Sequence, residues 1–246
     1  MNRTIRIIVG LIVFLTATTA HAVMPEGKYL EGKDSKIAVI LAHGQGLDPD
    51  SHVVGPLRKA INNKLGFHTL SLQMPVVPGM RSPETIQFYE STFPDAYKRI
   101  QAAIEFLKKE KGVERLYLMG YSMGGRMTSA FLANHPDSGI AGYIGVGLLE
   151  GGEEPMNTNL NLRKVKIPVL DVYAENDRDA NSAENRKSFV SERFKQISIP
   201  GATHDYRGYG KQVNESVITW LKEQTKDVTP TNNIRRQPRH PKAYKY

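Results

Sequence analysis

Apolar and polar positions along the chain follow two alternating rhythms. Ile37-Ala-Val-Ile-Leu-Ala42 is a short unbroken apolar run, the pattern of a strand buried on both faces of a parallel sheet. From His68 to Met74 the pattern alternates, with Leu70, Leu72 and Met74 on one side. Glu114 to Met119, Ala141 to Leu148, Val165 to Ala174 and Phe194 to Ile199 read as four further strands. Between them Ala96, Ile100, Ala103, Ile104 and Leu107 recur at helical spacing, with Gly112 beyond the end as a stop. Helices are also predicted over Val54 to Lys64, Gly124 to Asn134 and Ser182 to Glu192, and along Val213, Val217, Ile218 and Leu221 to near Lys226. Strand–helix alternation of this kind predicts an α/β fold with a doubly wound, mostly parallel sheet.

Two stretches break the rhythm. Val76 to Phe93 is a long connection with Pro78, Gly79 and Pro83 and the aromatic group Phe88, Tyr89 and Phe93, the composition of a lid over a site. Phe88 and Tyr89 are therefore candidate substrate-binding residues. Glu150 to Lys164 is acidic and then Asn-rich, and is too short to be a separate cap domain.

The ends differ from the body. Arg3 and Arg6 precede an apolar run from Ile7 to Ala17, and Ala20-His21-Ala22 is a small-x-small cleavage signal. The expectation is a signal peptide over residues 1–22, with an uncleaved envelope anchor as the alternative, and a working domain that is periplasmic or secreted. Residues 226–246 hold six basic side chains against Asp227, three prolines and few aliphatics, and read as a basic disordered tail. The chain as a whole carries +8, from 33 basic and 25 acidic residues, but most of the excess lies in these ends. Residues 23–225, the predicted α/β domain, are close to neutral and offer no basic face for nucleic acid. The tail suits weak contact with an anionic surface. There is no cysteine, which excludes disulfides, thiolate metal sites and a thiol nucleophile.

The chemistry gathers at strand ends. Gly120-Tyr-Ser-Met-Gly124, with Gly125 next, is G-x-S-x-G between a predicted strand and a small-residue helix. This is the context of a nucleophile elbow, where a sharp strand-to-helix turn exposes Ser122 and aims the Met123 N–H at a developing oxyanion. His43-Gly-Gln-Gly46 follows the first buried strand and brings a second donor, the Gln45 N–H, with the His43 side chain bonding the loop. A serine hydroxyl needs a general base. His52 and His68 precede the elbow, His135 ends a helix and His240 is in the tail, which leaves His204 in the loop before the last helix. The acid that orients this base is sought after the fifth strand, in Glu175-Asn-Asp-Arg-Asp179. Asp177 is the first choice and Asp179 the second, with Glu150 more distant. Asp171, inside the strand, reads as structural, and Arg178 as a partner in a loop ion pair. No metal-ligand spacing and no dinucleotide fingerprint stand out, so the expectation is no cofactor.

The chain order Ser122, Asp177, His204 resembles that of the α/β-hydrolase superfamily, over roughly residues 29–225. The short strand-to-elbow spacing and lack of a cap domain look like its small esterase, dienelactone-hydrolase-like and acyl-thioesterase branches. The runs Leu41 to Gly46 and Thr69 to Pro75 also resemble a proteobacterial envelope group of this fold, some members of which lack the elbow serine. The resemblance implies an exported serine hydrolase acting on a small-molecule ester or thioester. The alternative is an inactive hydrolase-fold protein that serves in envelope binding or assembly.

Overall fold

The six residues of β2 (Ile37–Ala42) are all buried, as an apolar run with no polar face requires. Its side chains divide by parity: Ala38, Ile40 and Ala42 enter one hydrophobic cluster and Ile37, Val39 and Leu41 the other. The computed structural model describes residues 21–77, 83–178 and 180–227. Among them seven strands form one sheet, in the order β1-β3-β2-β4-β5-β6-β7. The others are β1 (Gly27–Leu30), β3 (His68–Leu72), β4 (Arg115–Tyr121), β5 (Ile140–Val146), β6 (Val169–Ala174) and β7 (Phe194–Ile199). Neighbouring strands run parallel, except that β1 pairs antiparallel with β3 at one edge.

Helices cover both faces. Helices α2 (Phe93–Lys111) and α3 (Met123–Asn134) pack on one side, through Ile100, Leu107 and Phe131. Helices α1 (Val54–Leu65) and α6 (Gly210–Gln224) pack on the other, through Leu57, Ile61, Val217 and Trp220. The helices α4 (Thr158–Lys164) and α5 (Ala180–Arg186) are short, and no cap domain is evident among the described residues. The fold is α/β, doubly wound and mostly parallel.

Several elements depart from the pattern-based expectation. Strand β1 has four residues with two apolar side chains, too short to register as a period. Helix α4 lies within the Asn-rich stretch and buries Thr158, Asn159 and Asn161 instead of an apolar stripe. The Asn157 side chain caps it by accepting from the Leu160 N–H at 3.1 Å. The helix expected over Ser182 to Glu192 is instead α5, followed by a 3-10 turn (Lys187–Phe189). Its continuation stops because Val190 turns extended, with Phe189 packed edge-on against Phe194. In the connection before α2, a 3-10 helix (Pro83–Thr92) leads into α2, and residues 78–82 lie outside the described residues. So do residues 1–20, Asp179 and the tail from 228.

One buried ion pair ties the later elements together. Arg186 and Asp171 are both fully buried. Arg186 Nε donates to Asp171 Oδ2 at 2.7 Å and Nη2 to Oδ1 at 3.2 Å, while Nη1 reaches Asn159 Oδ1 and Ser182 Oγ. Gln196 Nε2 donates to the same carboxylate at 2.9 Å, so β6, β7, α4 and α5 meet at one point. Removing one partner strands the other's charge where both side chains have no solvent exposure. Asp171→Ala is therefore expected to lower stability by about 3–5 kcal/mol, read from the urea midpoint. A loss below about 1 kcal/mol would show that the pair can be dispensed with.

Candidate active site

Strand β4 ends at Tyr121 and α3 begins at Met123, so Ser122 alone makes the turn. Its φ of 53° and ψ of −116° are strained for a residue with a side chain. The turn closes because its neighbours lack Cβ atoms. A Cβ on Gly120 would lie 2.6 Å from Gly125 Cα, and one on Gly124 would lie 2.5 Å from the His43 carbonyl oxygen. Ser122 is held by its own N–H, which donates to Val146 O at 3.2 Å. The G-x-S-x-G spacing is thus a packing requirement between β2, β4 and α3.

The histidine and the acid arrive from two other loops at this sheet edge. Ser122 Oγ donates to His204 Nε2 at 2.9 Å, and His204 Nδ1 donates to Asp177 Oδ2 at 2.6 Å. Asp177 follows β6 and its side chain is only 6% exposed, whereas that of His204 is 26% exposed. The two loops are stitched to each other. The Asn176 N–H donates to Ala202 O at 2.8 Å, and the Gly201 N–H donates to Glu175 Oε2 at 2.8 Å. Glu175 is thereby a loop fastener, and Glu150 accepts from Asn185 instead of facing a histidine.

Tyr121 fixes the imidazole, and Tyr206 packs edge-on against Tyr121 at 6.3 Å. Tyr121, the residue before Ser122, stacks on the His204 ring at 5.7 Å and 26°, and its hydroxyl donates to His204 O at 3.0 Å. Tyr206, at a φ of 51°, donates its hydroxyl to Val172 O on β6 at 3.1 Å. Burial raises the pKa of both phenols, Tyr121 and Tyr206, so they stay neutral donors.

His43 is buried beside the site and bonds its loop. Its Nε2 accepts from the Met74 N–H at 3.0 Å, which leaves Nδ1 to donate to Gly44 O at 2.9 Å. Burial lowers its pKa below the usual 6.5 and keeps it neutral. A planar trans peptide points its C=O and N–H in opposite directions. Anchoring the Gly44 carbonyl therefore sends the Gln45 N–H the other way. The same peptide runs close over the serine: a Cβ on Gly44 would stand 3.2 Å from Ser122 Cβ. Met123 and Gln45 both line the cavity that opens on Ser122.

The remaining histidines lie elsewhere. His68 accepts from Tyr29 and Gly32 and donates to Ser35 O, which staples β3 to the β1–β2 turn. His135 closes α3 on Phe131 O.

The cavity has a volume of about 490 Å³. Its wall includes Asp48, His52, Arg126, Leu149 and Arg178, of which the sequence pattern had considered His52, set aside for its place before the elbow, and Arg178, read as an ion-pair residue. Arg126 could have been found from its place one turn past Ser122 on the same helix. The expectation for Phe88 and Tyr89 is corrected. Neither lines this cavity; Tyr89 is fully buried in the core beside Phe93, and Phe88 is 49% exposed. A 3-10 turn carries them past the core face of α2, so Tyr89 fills that face. Among the described residues no group of His, Asp or Glu is arranged to hold a metal ion.

Comparison with known proteins agrees with this architecture. The family model described as an alpha/beta hydrolase domain matches residues 35–229. No curated protein matches the chain. Est1E from Butyrivibrio proteoclasticus, solved with ferulic acid bound, superposes with a TM-score of 0.63 at 20% identity, covering 82% of this chain and 95% of that one. A dienelactone hydrolase from Anabaena variabilis gives 0.61 at 18% identity, covering 80% and 90%. An α/β serine hydrolase without a lid from Xanthomonas campestris gives 0.58 at 14% identity, covering 84% and 87%. At these identities the likeness is one of fold.

Proposed function

Because the chain belongs to the alpha/beta hydrolase family, we propose that it is an exported serine hydrolase that cleaves carboxylic esters or thioesters through an acyl-enzyme. The observation that carries the reading is the unbroken hydrogen-bond chain from Ser122 Oγ through His204 to Asp177. In the first half-reaction Ser122 Oγ attacks the carbonyl carbon as its proton passes to His204 Nε2. The negative charge grows on the carbonyl oxygen, where the N–H groups of Met123 and Gln45 receive it. Donors of this kind are each worth about 10²–10³ in kcat. Asp177 holds the Nδ1–H tautomer and stabilises the imidazolium. When the tetrahedral intermediate collapses, His204 returns the proton to the leaving alcohol or thiol. Water then attacks the acyl-enzyme by the same route and frees Ser122.

Export rests on the segment before residue 23, with its basic start, apolar run and Ala20-His21-Ala22. The basic tail adds weak contact with an anionic envelope surface to this reading.

The test is direct. Purified protein is expected to release p-nitrophenol from short-chain p-nitrophenyl esters at neutral to alkaline pH, at a rate unchanged by a chelator. Turnover no faster than the buffer blank, across acetate to hexanoate esters and an acyl thioester, would contradict the proposal.

A further inference from the structure

A second cavity, of about 270 Å³, adjoins the one that opens on Ser122, and His52 lines both. One wall of the second cavity is the start of α1, and the other is formed by residues 205–208, directly after His204, and the first turns of α6. Its hydrocarbon surface comes from Val53, Pro56, Val213 and the Tyr206 ring. The carboxylate in its lining, Asp205, is engaged within its own turn. It accepts from Thr203 Oγ1 at 3.0 Å and from the Arg207 N–H at 3.2 Å, and it faces Arg207 Nε at 3.6 Å. Among the described residues three other than glycine have a positive φ: Ser122 at 53°, His52 at 46° and Tyr206 at 51°. Ser122 lines the first cavity, Tyr206 the second and His52 both. Backbone strain of this kind clusters at sites that bind or react. Here it runs from the nucleophile to the second cavity. The chemistry fixes which part of an ester points that way. His204 returns its proton to the leaving oxygen, so that oxygen has to lie against the imidazole. The carbonyl oxygen lies against the Met123 and Gln45 N–H groups. The second cavity is on the imidazole side, because its wall is the chain that continues from His204.

Resting on the serine hydrolase reading, we infer that the second cavity receives the alcohol or thiol part of the substrate, and that this part is a compact hydrocarbon group, branched or cyclic. His52 is the wall it passes, and Val53, Pro56, Tyr206 and Val213 bury it. A cavity of about 270 Å³ is below the usual size of a site for a whole ligand and suits one part of one. Gly210, the first residue of α6, also lines it. A Cβ on Gly210 would meet no atom within 4 Å, and its φ is not positive, so a larger residue there has room and adds no backbone strain.

Two isomeric esters test this. Cyclohexylmethyl acetate carries the ring on the alcohol, and methyl cyclohexylacetate carries it on the acyl group. Each kcat/KM is divided by the ester's rate of alkaline hydrolysis, which removes intrinsic reactivity. The expected result is a preference of about tenfold or more for cyclohexylmethyl acetate, the scale of burying two methylene groups. Gly210→Leu, which fills the cavity, should lower that preference at least about threefold, the scale of one methylene left unburied. His52→Gly, which suits the positive φ and removes the ring between the cavities, should lower it as well. Because the readout is a ratio on one protein sample, partial loss of folded variant does not obscure the shift. Equal values for the two isomers, or a preference for methyl cyclohexylacetate, with hydrolysis still dependent on Ser122, would overturn this inference and leave the serine hydrolase reading standing. So would failure to cleave cyclohexylmethyl acetate by protein that cleaves p-nitrophenyl acetate. A preference that neither variant lowers would overturn the assignment to this cavity. Hydrolysis that survives Ser122→Ala would overturn both readings.

Discussion

Ser122→Ala is expected to lower kcat on a p-nitrophenyl ester by about 10⁶, the scale of losing the nucleophile of a serine protease. The size follows from the way the site is joined. His204 Nε2 faces Ser122 Oγ at 2.9 Å, and without that oxygen the base has no proton to take. The donors of Met123 and Gln45 and the cavity remain, so a small residual rate over water is expected. The alanine variant should fold, because the hydroxyl points into the cavity and the strained turn is held by main-chain bonds to Val146 O and from the Arg126 N–H. Circular dichroism and the urea midpoint check this. More than a tenth of the wild-type rate in a folded Ser122→Ala protein would place the chemistry elsewhere.

Asp177→Asn is expected to lower kcat by about 10⁴ with little change in KM. Asp177 Oδ2 accepts from His204 Nδ1 at 2.6 Å. An amide that turns its NH₂ to Nδ1 makes Nδ1 the acceptor and puts the proton on Nε2, where it faces Ser122 with the wrong polarity. The change preserves volume in a nearly buried position, so the fold should be spared. Glu175→Gln provides the control. It loosens the bond to the Gly201 N–H without touching the imidazole, and its effect on kcat should be far smaller. A larger loss in Glu175→Gln than in Asp177→Asn would reverse the assignment of the acid.

Much of this was legible from the sequence, for physical reasons. Strand β2 is buried on both faces, so its residues are all apolar and announce themselves. The elbow needs glycines at 120 and 124 because the main chain leaves no room there, and that need writes a motif. His204 could be reached by elimination because loops after the later strands end at the same sheet edge as Ser122. Other parts left no periodic mark. Helix α4 turns Asn159 and Asn161 inward, where Arg186, Ser129 and Pro155 bond them. A polar buried face looks like a surface loop until its partners are known. Tyr89 reads as a lid aromatic next to the prolines, yet it lies in the core, because burial is decided by the path of the chain beyond it. Arg126 was hidden for the opposite reason: a charged residue in a helix is usually solvated, and only the loop from Glu150 to Met156, folding back over it, makes it part of the cavity wall.

The central claim is that Ser122 is an activated nucleophile. A fluorophosphonate probe measures this with no knowledge of the natural substrate, since it reacts with a serine whose proton a neighbouring base can take. The account predicts one stoichiometric adduct, mapped to the peptide containing Ser122 by mass spectrometry. It also predicts none in Ser122→Ala and strongly slowed labelling in His204→Ala. Absence of labelling in the folded wild-type protein, or an adduct that persists in Ser122→Ala, would contradict it.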